Sequence, residues 1–350
     1  MRQNNLSFVW VAVMIVTTTA LLLPTTALAQ SSDHEKTAGK LITKETERAI
    51  QRGLAYLASE QKEDGSFGSG GYSRNVAVCA ISGMAFMSSG STPGRGPYGK
   101  HVTKCVDFIL NNTQDSGFIA VSGSSSHGPM YGHGFATLFL AEAYGMTRRA
   151  DIREKLTKAV DLIVNTQNKD GGWRYQPQRK DADLSVTVCQ IMALRAARNT
   201  GIFVPREVVD RCTNYVRRSQ NTDGGFMYMV QGGQSAFPRS AAGIVALYSA
   251  GIYEGKEIDK GQAFLLEYIP RREAIHRESH YFYGHYYAVQ AMWRSGGEPW
   301  EKWYKAIRAA LLERQDRTGR WSDSICPEYG TAMACVILQM PNNYLPIFQN

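Results

Sequence analysis

The 350-residue sequence has no long apolar run beyond its first thirty residues, which excludes a multi-span membrane protein. Strand-like alternation of apolar and polar residues is also missing, so a sheet-based fold has no pattern to build on. Charge of one sign is not gathered anywhere. The 39 basic and 31 acidic residues leave a formal charge of +8, but the basic ones fall in scattered pairs such as Arg148-Arg149, Arg217-Arg218 and Arg271-Arg272. No stripe forms a nucleic-acid footprint, so no nucleic-acid partner is expected. Cysteine is sparse, with six in all and none in a CxxC pattern, and no metal set is expected. The Cys-Gly-Glu-Gln of a complement-type thioester is absent. Gly94-Arg-Gly-Pro-Tyr-Gly-Lys100 mimics a phosphate-binding loop, but His101 follows where Ser or Thr is needed, and no strand precedes it. No motif names a cofactor. What remains, 43% hydrophobic and 20% charged residues, is the composition of a globular chain.

The first residues read as an export signal. Arg2 is a weak positive start, Phe8 to Leu23 are largely apolar, and Ala27-Leu28-Ala29 is a small-x-small cleavage site, giving a signal peptide over 1–29. An uncleaved N-terminal anchor is the competing reading; Thr17-Thr18-Thr19 and the cleavage site argue against it. Residues 30–45 are polar and expected to be flexible, and no later segment would span a membrane. A secreted, periplasmic or cell-envelope location follows as an expectation.

The remainder repeats about every fifty residues. Gln61-Lys-Glu-Asp-Gly-Ser-Phe67, Gln114-Asp-Ser-Gly-Phe118, Gln167-Asn-Lys-Asp-Gly-Gly-Trp173, Gln220-Asn-Thr-Asp-Gly-Gly-Phe226 and Gln315-Asp-Arg-Thr-Gly-Arg-Trp321 align, their last aromatics 51, 55, 53 and 95 residues apart. The final interval is nearly two units, so a sixth unit near 256–300 has lost its turn. Each unit reads as a one-sided helix, a turn, and a second helix apolar all round, which assigns an outer and an inner set. The Asp-Gly and Gly-Gly steps supply positive-φ backbone, the aromatics bury surface between units, and the Gln bonds open backbone at a helix end. None of these turns has the ligand pattern of a calcium loop.

These Gln-x-x-Asp-Gly-x-Trp segments resemble the repeats of the prenyltransferase and squalene oxidase superfamily, over about residues 46 to 345. Met130-Tyr-Gly-His-Gly-Phe-Ala-Thr137, Asp183-Leu-Ser-Val-Thr187 and Met340-Pro-Asn-Asn-Tyr-Leu-Pro346 are similar to exported, planctomycete-type bacterial members. The resemblance implies an all-α fold over 46–350, a single α/α toroid of six helical hairpins with inner and outer rings. In the squalene-type cyclases an Asp-x-Asp-Asp run supplies the acid; here Asp181 and Asp183 match, but Leu184 replaces the third carboxylate. In the protein prenyltransferases a cysteine ligates zinc where this chain has Asp183. The chain is also too short for the two toroids of such cyclases.

Aligning Val-Ala-Val-Cys79, Val-Thr-Val-Cys189 and Ala-Met-Ala-Cys335 places Ser73 or Arg74, His133, Asp183, Pro238 or Arg239, Tyr283 or His285, and Tyr329 on one rim, to about one residue. Inner-helix N-termini bring partial positive charge to that rim. His133 and Asp183 are thus the candidate acid/base pair, with Asp181, Tyr131, Arg239, Tyr283, His285 and Tyr329 as candidate ligand-lining residues. The alternative for each is a cap or a rim residue satisfied by its own structure. The aromatic run Tyr281-Phe-Tyr-Gly-His-Tyr-Tyr287 would line the cavity or pack between helices. The same register suggests equivalent disulfides, Cys79 to Cys105 and Cys189 to Cys212. Three readings of function stay open: a toroid binding a lipid, peptide or glycan in a central cavity, an isoprenoid-type cyclase or transferase using Asp183 and His133, and a polysaccharide lyase-like enzyme. The first needs the fewest missing parts.

Overall fold

A computed structural model describes residues 38–121, 128–147, 149–270 and 279–349, so the expected signal peptide lies outside the described residues. Twelve α-helices run through them: α1 (Lys44–Glu60), α2 (Val76–Met87), α3 (Gly99–Asn111), α4 (Pro129–Thr147), α5 (Ala150–Thr166), α6 (Leu184–Asn199), α7 (Arg206–Arg218), α8 (Phe237–Ser249), α9 (Lys256–Leu266), α10 (Tyr281–Ser295), α11 (Gly297–Arg314) and α12 (Pro327–Leu338). Among the described residues the only β-type pairing is isolated bridges within loops and turns.

The even-numbered helices are the inner ring. Each packs on the next, α2 on α4, α4 on α6, α6 on α8, α8 on α10, α10 on α12, and α12 closes on α2. Their residues are buried almost all round; α2 buries eleven, from Val76 to Met87, leaving out only Ala77. The odd-numbered helices are one-sided and form the outer ring. On α7 the buried face is Val208, Val209, Cys212, Tyr215 and Val216, while its arginines face water. The fold is therefore an α/α toroid. Local chemistry starts its helices: Asn75 Oδ1 accepts from the Ala77 and Val78 amides at 2.9 and 3.2 Å, and Asp183 Oδ1 accepts from the Val186 amide at 2.9 Å.

The repeated glutamines are clips between units. Gln167 Nε2 donates to Gly171 O of its own turn and to Val208 O of the next outer helix, each at 2.9 Å. Gln61 reaches Gly65 O and His101 O, and Gln220 reaches Gly224 O and Glu257 O, in the same way. Gln315 donates to Gly319 O and to Ala49 O on α1, both at 2.8 Å, so the last turn fastens the ring to its first helix. The turn glycine has no alternative. At Gly319 φ is +94°, and a Cβ would lie 2.6 Å from Arg52 O.

Two registers differ from the sequence reading. In the second unit the buried turn residue is Ile119, not Phe118, which is only partly buried. Gln114 N pairs with Phe118 O as Asn168 N pairs with Gly172 O, which places Thr113 in the glutamine position and Ile119 in that of Trp173. The inner-helix register moves too. Asn75 and Asp183 are the equivalent caps, so Cys79 stands four residues into its helix and Cys189 six. Two residues turn a helix by about 200°, so these thiols point in opposite directions. All six cysteines are unbridged, which corrects both expected disulfides: the register accounts for Cys189, while the Cys79 thiol lies beside that of Cys105 without a disulfide bond. Cys79 Sγ lies 3.9 Å from Cys105 O, whereas Cys189 Sγ turns to Tyr287 Oη, 3.3 Å away and far from Cys212 in chain and direction.

Candidate functional site

Side chains cross the middle of the barrel. Tyr286 on α10 places its ring 5.9 Å from Phe135 on α4, three helices away around a ring of six and hence opposite. Cys189 of α6 meets Tyr287 of α10 from the same side. Below them the chain's last turns fold under the inner-helix C-termini. The Phe348 ring is 6.4 Å from Tyr286, and the Ile347 amide donates to Glu142 Oε2 at 3.4 Å. A small cavity beside this tail is lined by Met192, Arg195, Tyr248, Gln290, Trp293 and Ile347.

The chemistry gathers at the other end, where the inner helices begin. Asp183 has no exposed surface. Its Oδ1 caps α6, and its Oδ2, also buried, meets no hydrogen-bond partner among the described residues. Burial lifts its acid constant from the ordinary 3.8 to about 6, against the pull of the Val186 amide, Arg174 and Tyr228. Tyr228 stands beside the carboxyl, close enough to favour its charged form, without the geometry that closes a hydrogen bond to Oδ2. The Asp183 charge also raises Tyr131, Tyr283 and, on the outer side, Tyr215 of α7, all three raised chiefly by burial.

Three partly exposed tyrosines, Tyr131, Tyr228 and Tyr283, lie near this carboxyl, and a fourth, Tyr175, joins them through Tyr228 and Tyr131. The hydroxyls of Tyr175 and Tyr228 bond each other at 2.5 Å. Tyr283 reaches across the barrel mouth and donates to Ser185 O at 2.8 Å. The Tyr131 and Tyr283 rings stand at 90° with centroids 6.4 Å apart, forming a corner. Arg174 lies over Tyr175 and Tyr228, at 5.0 and 5.8 Å from their centroids, and pairs with Asp181 at 3.2 Å.

The structure thus brings together Asp183, Tyr131 and Tyr283 of the residues expected from sequence, with Asp181 at their edge holding Arg174. Tyr329 is buried deeper, where Cys189 and Tyr286 influence it. Arg239 is an edge residue that donates to Phe226 O at 3.0 Å and to Gln234 O. His133 is a correction. Its Nδ1 accepts from the Ile119 amide at 3.2 Å and its Nε2 meets Ala159 O at 3.3 Å, so both ring nitrogens are engaged in the wall. It does for its turn what Thr187, Ser240 and Thr331 do for the amides of Trp173, Phe226 and Trp321. Burial drops its acid constant to about 4, leaving it neutral at physiological pH. His285 is likewise not at the rim. It packs among Tyr281, Phe237 and Trp303, toward the outer helix α11.

Sequence reasoning missed Arg174, Tyr175 and Tyr228. A signal existed: each tyrosine stands two residues after a turn aromatic, in Trp173-Arg-Tyr175 and Phe226-Met-Tyr228. Among the described residues no cluster of three or more His, Cys, Asp or Glu could hold a metal ion, and no helix is long and apolar enough to cross a membrane.

The sequence profile of the prenyltransferase alpha-alpha toroid domain matches residues 37–161 and 153–267. No curated protein matches the chain. Several solved structures share the fold at low identity. A cellobiose 2-epimerase from Bacillus thermoamylovorans is 12% identical with a TM-score of 0.62, the match spanning 88% of this chain and 99% of that one. A GH76 α-mannanase from Bacteroides thetaiotaomicron is 13% identical with a TM-score of 0.60, over 88% and 98%. The type II terpene cyclase MstE from Scytonema is 14% identical with a TM-score of 0.60, over 86% and 99%.

Proposed function

Because the chain belongs to the prenyltransferase α/α toroid family, we propose a function seated at one end of that barrel: an exported toroid that binds a lipid, peptide or glycan ligand in the basin around Asp183. The observation that carries this reading is the Asp183 Oδ2 atom, buried and without a partner, with three of the four tyrosines near it. A buried carboxylate oxygen left open costs stability that an ordinary helix cap would avoid, and a ligand donor would recover it. Export rests on the signal-peptide pattern of residues 1–29.

The second reading, an acid that protonates a bound isoprenoid, draws support from the same carboxyl, whose proton stays on up to a pH of about 6. The Tyr286 to Phe135 contact argues against it, since a long polyprenyl chain needs the barrel's length. A lyase-like role rests on fold analogy alone. Thermal melting against a panel of a polyprenyl alcohol, an oligosaccharide and a peptide library tests the proposal. A ligand-dependent rise in Tm that is absent in Asp183→Asn supports binding at the basin. A rise of equal size in that variant sinks it, and turnover of the polyprenyl substrate that Asp183→Asn abolishes moves the assignment to the enzyme.

A further inference from the structure

Resting on the proposed binding basin, we infer that its anchoring group is a methylated ammonium of the choline type, held in the corner made by the partly exposed Tyr131 and Tyr283 rings, with the charge of the buried Asp183 carboxylate behind them. Three observations lead there. The carboxyl is fully buried and keeps Oδ2 open, so it seeks a positive or donating group. The tyrosines around it offer faces more than hydroxyls, since Tyr175 and Tyr228 bond one another and Tyr283 donates to Ser185 O. A sugar, which needs several donors and acceptors at once, finds few there. A primary ammonium has three N–H bonds to satisfy and would find one open carboxylate oxygen. A methylated ammonium has few or none, and interacts through charge with both the carboxylate and the ring faces.

The third observation is that the site already holds a cation in this manner. Arg174 lies over Tyr175 and Tyr228 and is neutralised by Asp181. That pair lies on the α5–α6 connection, whereas the corner of Tyr131 and Tyr283 belongs to α4 and α10. The two rings meeting at 90° supply the two walls, and Asp183 lies buried behind them, its charge acting on both tyrosines.

Calorimetric titration of the full chain with choline, with its uncharged isostere 3,3-dimethylbutan-1-ol and with methylamine tests the assignment. Choline is expected to bind about tenfold or more tightly than the isostere, the size of a desolvated cation–π contact. Asp183→Asn keeps the helix cap and should weaken choline about tenfold. Tyr131→Phe should leave binding within about threefold because the ring face remains, while Tyr131→Leu should lose it. Equal binding of the isostere, tighter binding of methylamine, or an unchanged Tyr131→Leu overturns the inference. If choline fails while a member of the polyprenyl, glycan or peptide panel still gives a shift dependent on Asp183, the cage falls and the basin stands. If nothing depends on Asp183, both fall.

Discussion

Replacing Asp183 by Asn should stabilise the protein at pH 6 and above and do nothing near pH 4. Asn is as good an N-cap as Asp, so the bond from the Val186 amide is preserved. What changes is the buried charge. The folded acid constant is about 6 against an ordinary 3.8, a difference of roughly two units or about 3 kcal/mol. The sign follows from the direction. A carboxyl whose constant is raised by folding binds its proton more tightly when folded, so its contribution to stability is complete below pH 4 and is lost as pH rises through 6. Wild type and variant should therefore match near pH 4, diverge by about 1.4 kcal/mol per pH unit up to 6, and stay about 3 kcal/mol apart at pH 8. Urea unfolding at pH 4, 5, 6 and 8 reads the difference directly, and taking it between two proteins cancels every other titrating group. A variant that is less stable than wild type at all four values would falsify the picture of an uncompensated buried carboxylate.

Four further outcomes follow from the geometry. Gln315→Ala removes both bonds of the closing clip and should cost about 1–3 kcal/mol in urea unfolding, with faster amide hydrogen exchange in α1 than in α7. His133→Ala should destabilise by about 2 kcal/mol or more at pH 8, and that loss should shrink by about 2 kcal/mol by pH 5, because the unfolded imidazole takes up a proton near 6.5 while the folded one stays neutral until about pH 4; an NMR titration of the folded protein showing it to change charge near 6.5 refutes its structural role. Thiol titration of the denatured, unreduced protein should count six free thiols; four would restore one bridge and two would restore both. Glu142, pushed up to about 8 by burial, should ionise as pH rises through 8 and loosen the tail it holds through Ile347. Hydrogen exchange in residues 345–349 at pH 9, corrected for the intrinsic rate, should rise in wild type but not in Glu142→Gln.

Much of the architecture was legible because it is periodic. Apolar residues at helical spacing recur with a Gln, a Gly and an aromatic at each turn. The Gly acts locally by adopting positive φ, and the Gln and the aromatic recur because every turn meets the next unit in the same way, the Gln bridging its own turn to the next outer helix and the aromatic burying its ring. Where the repeat was irregular, reading by similarity slipped. Ile119 fills an aromatic position without being aromatic, and no composition rule marks it. His133 looked chemical because histidine so often is, yet its ring nitrogens only replace a hydroxyl that three other units use. The two-residue error between Cys79 and Cys189 was small along the chain but large around the helix, which is why Cys189 turns to Tyr287 while Cys79 still faces Cys105.

The order of the helices, which of them face inward, and the position of Asp183 at an inner-helix start were properties of the sequence alone, since each depends on residues a few positions apart. Three things were decided only by tertiary structure. Ring closure sets Gln315 against Ala49, 266 residues apart. The filling of the barrel depends on Tyr286 and Phe135 facing across it. The isolation of one carboxylate oxygen among tyrosines depends on burial by four segments at once. These are long-range contacts, and no window of sequence contains both partners of any of them.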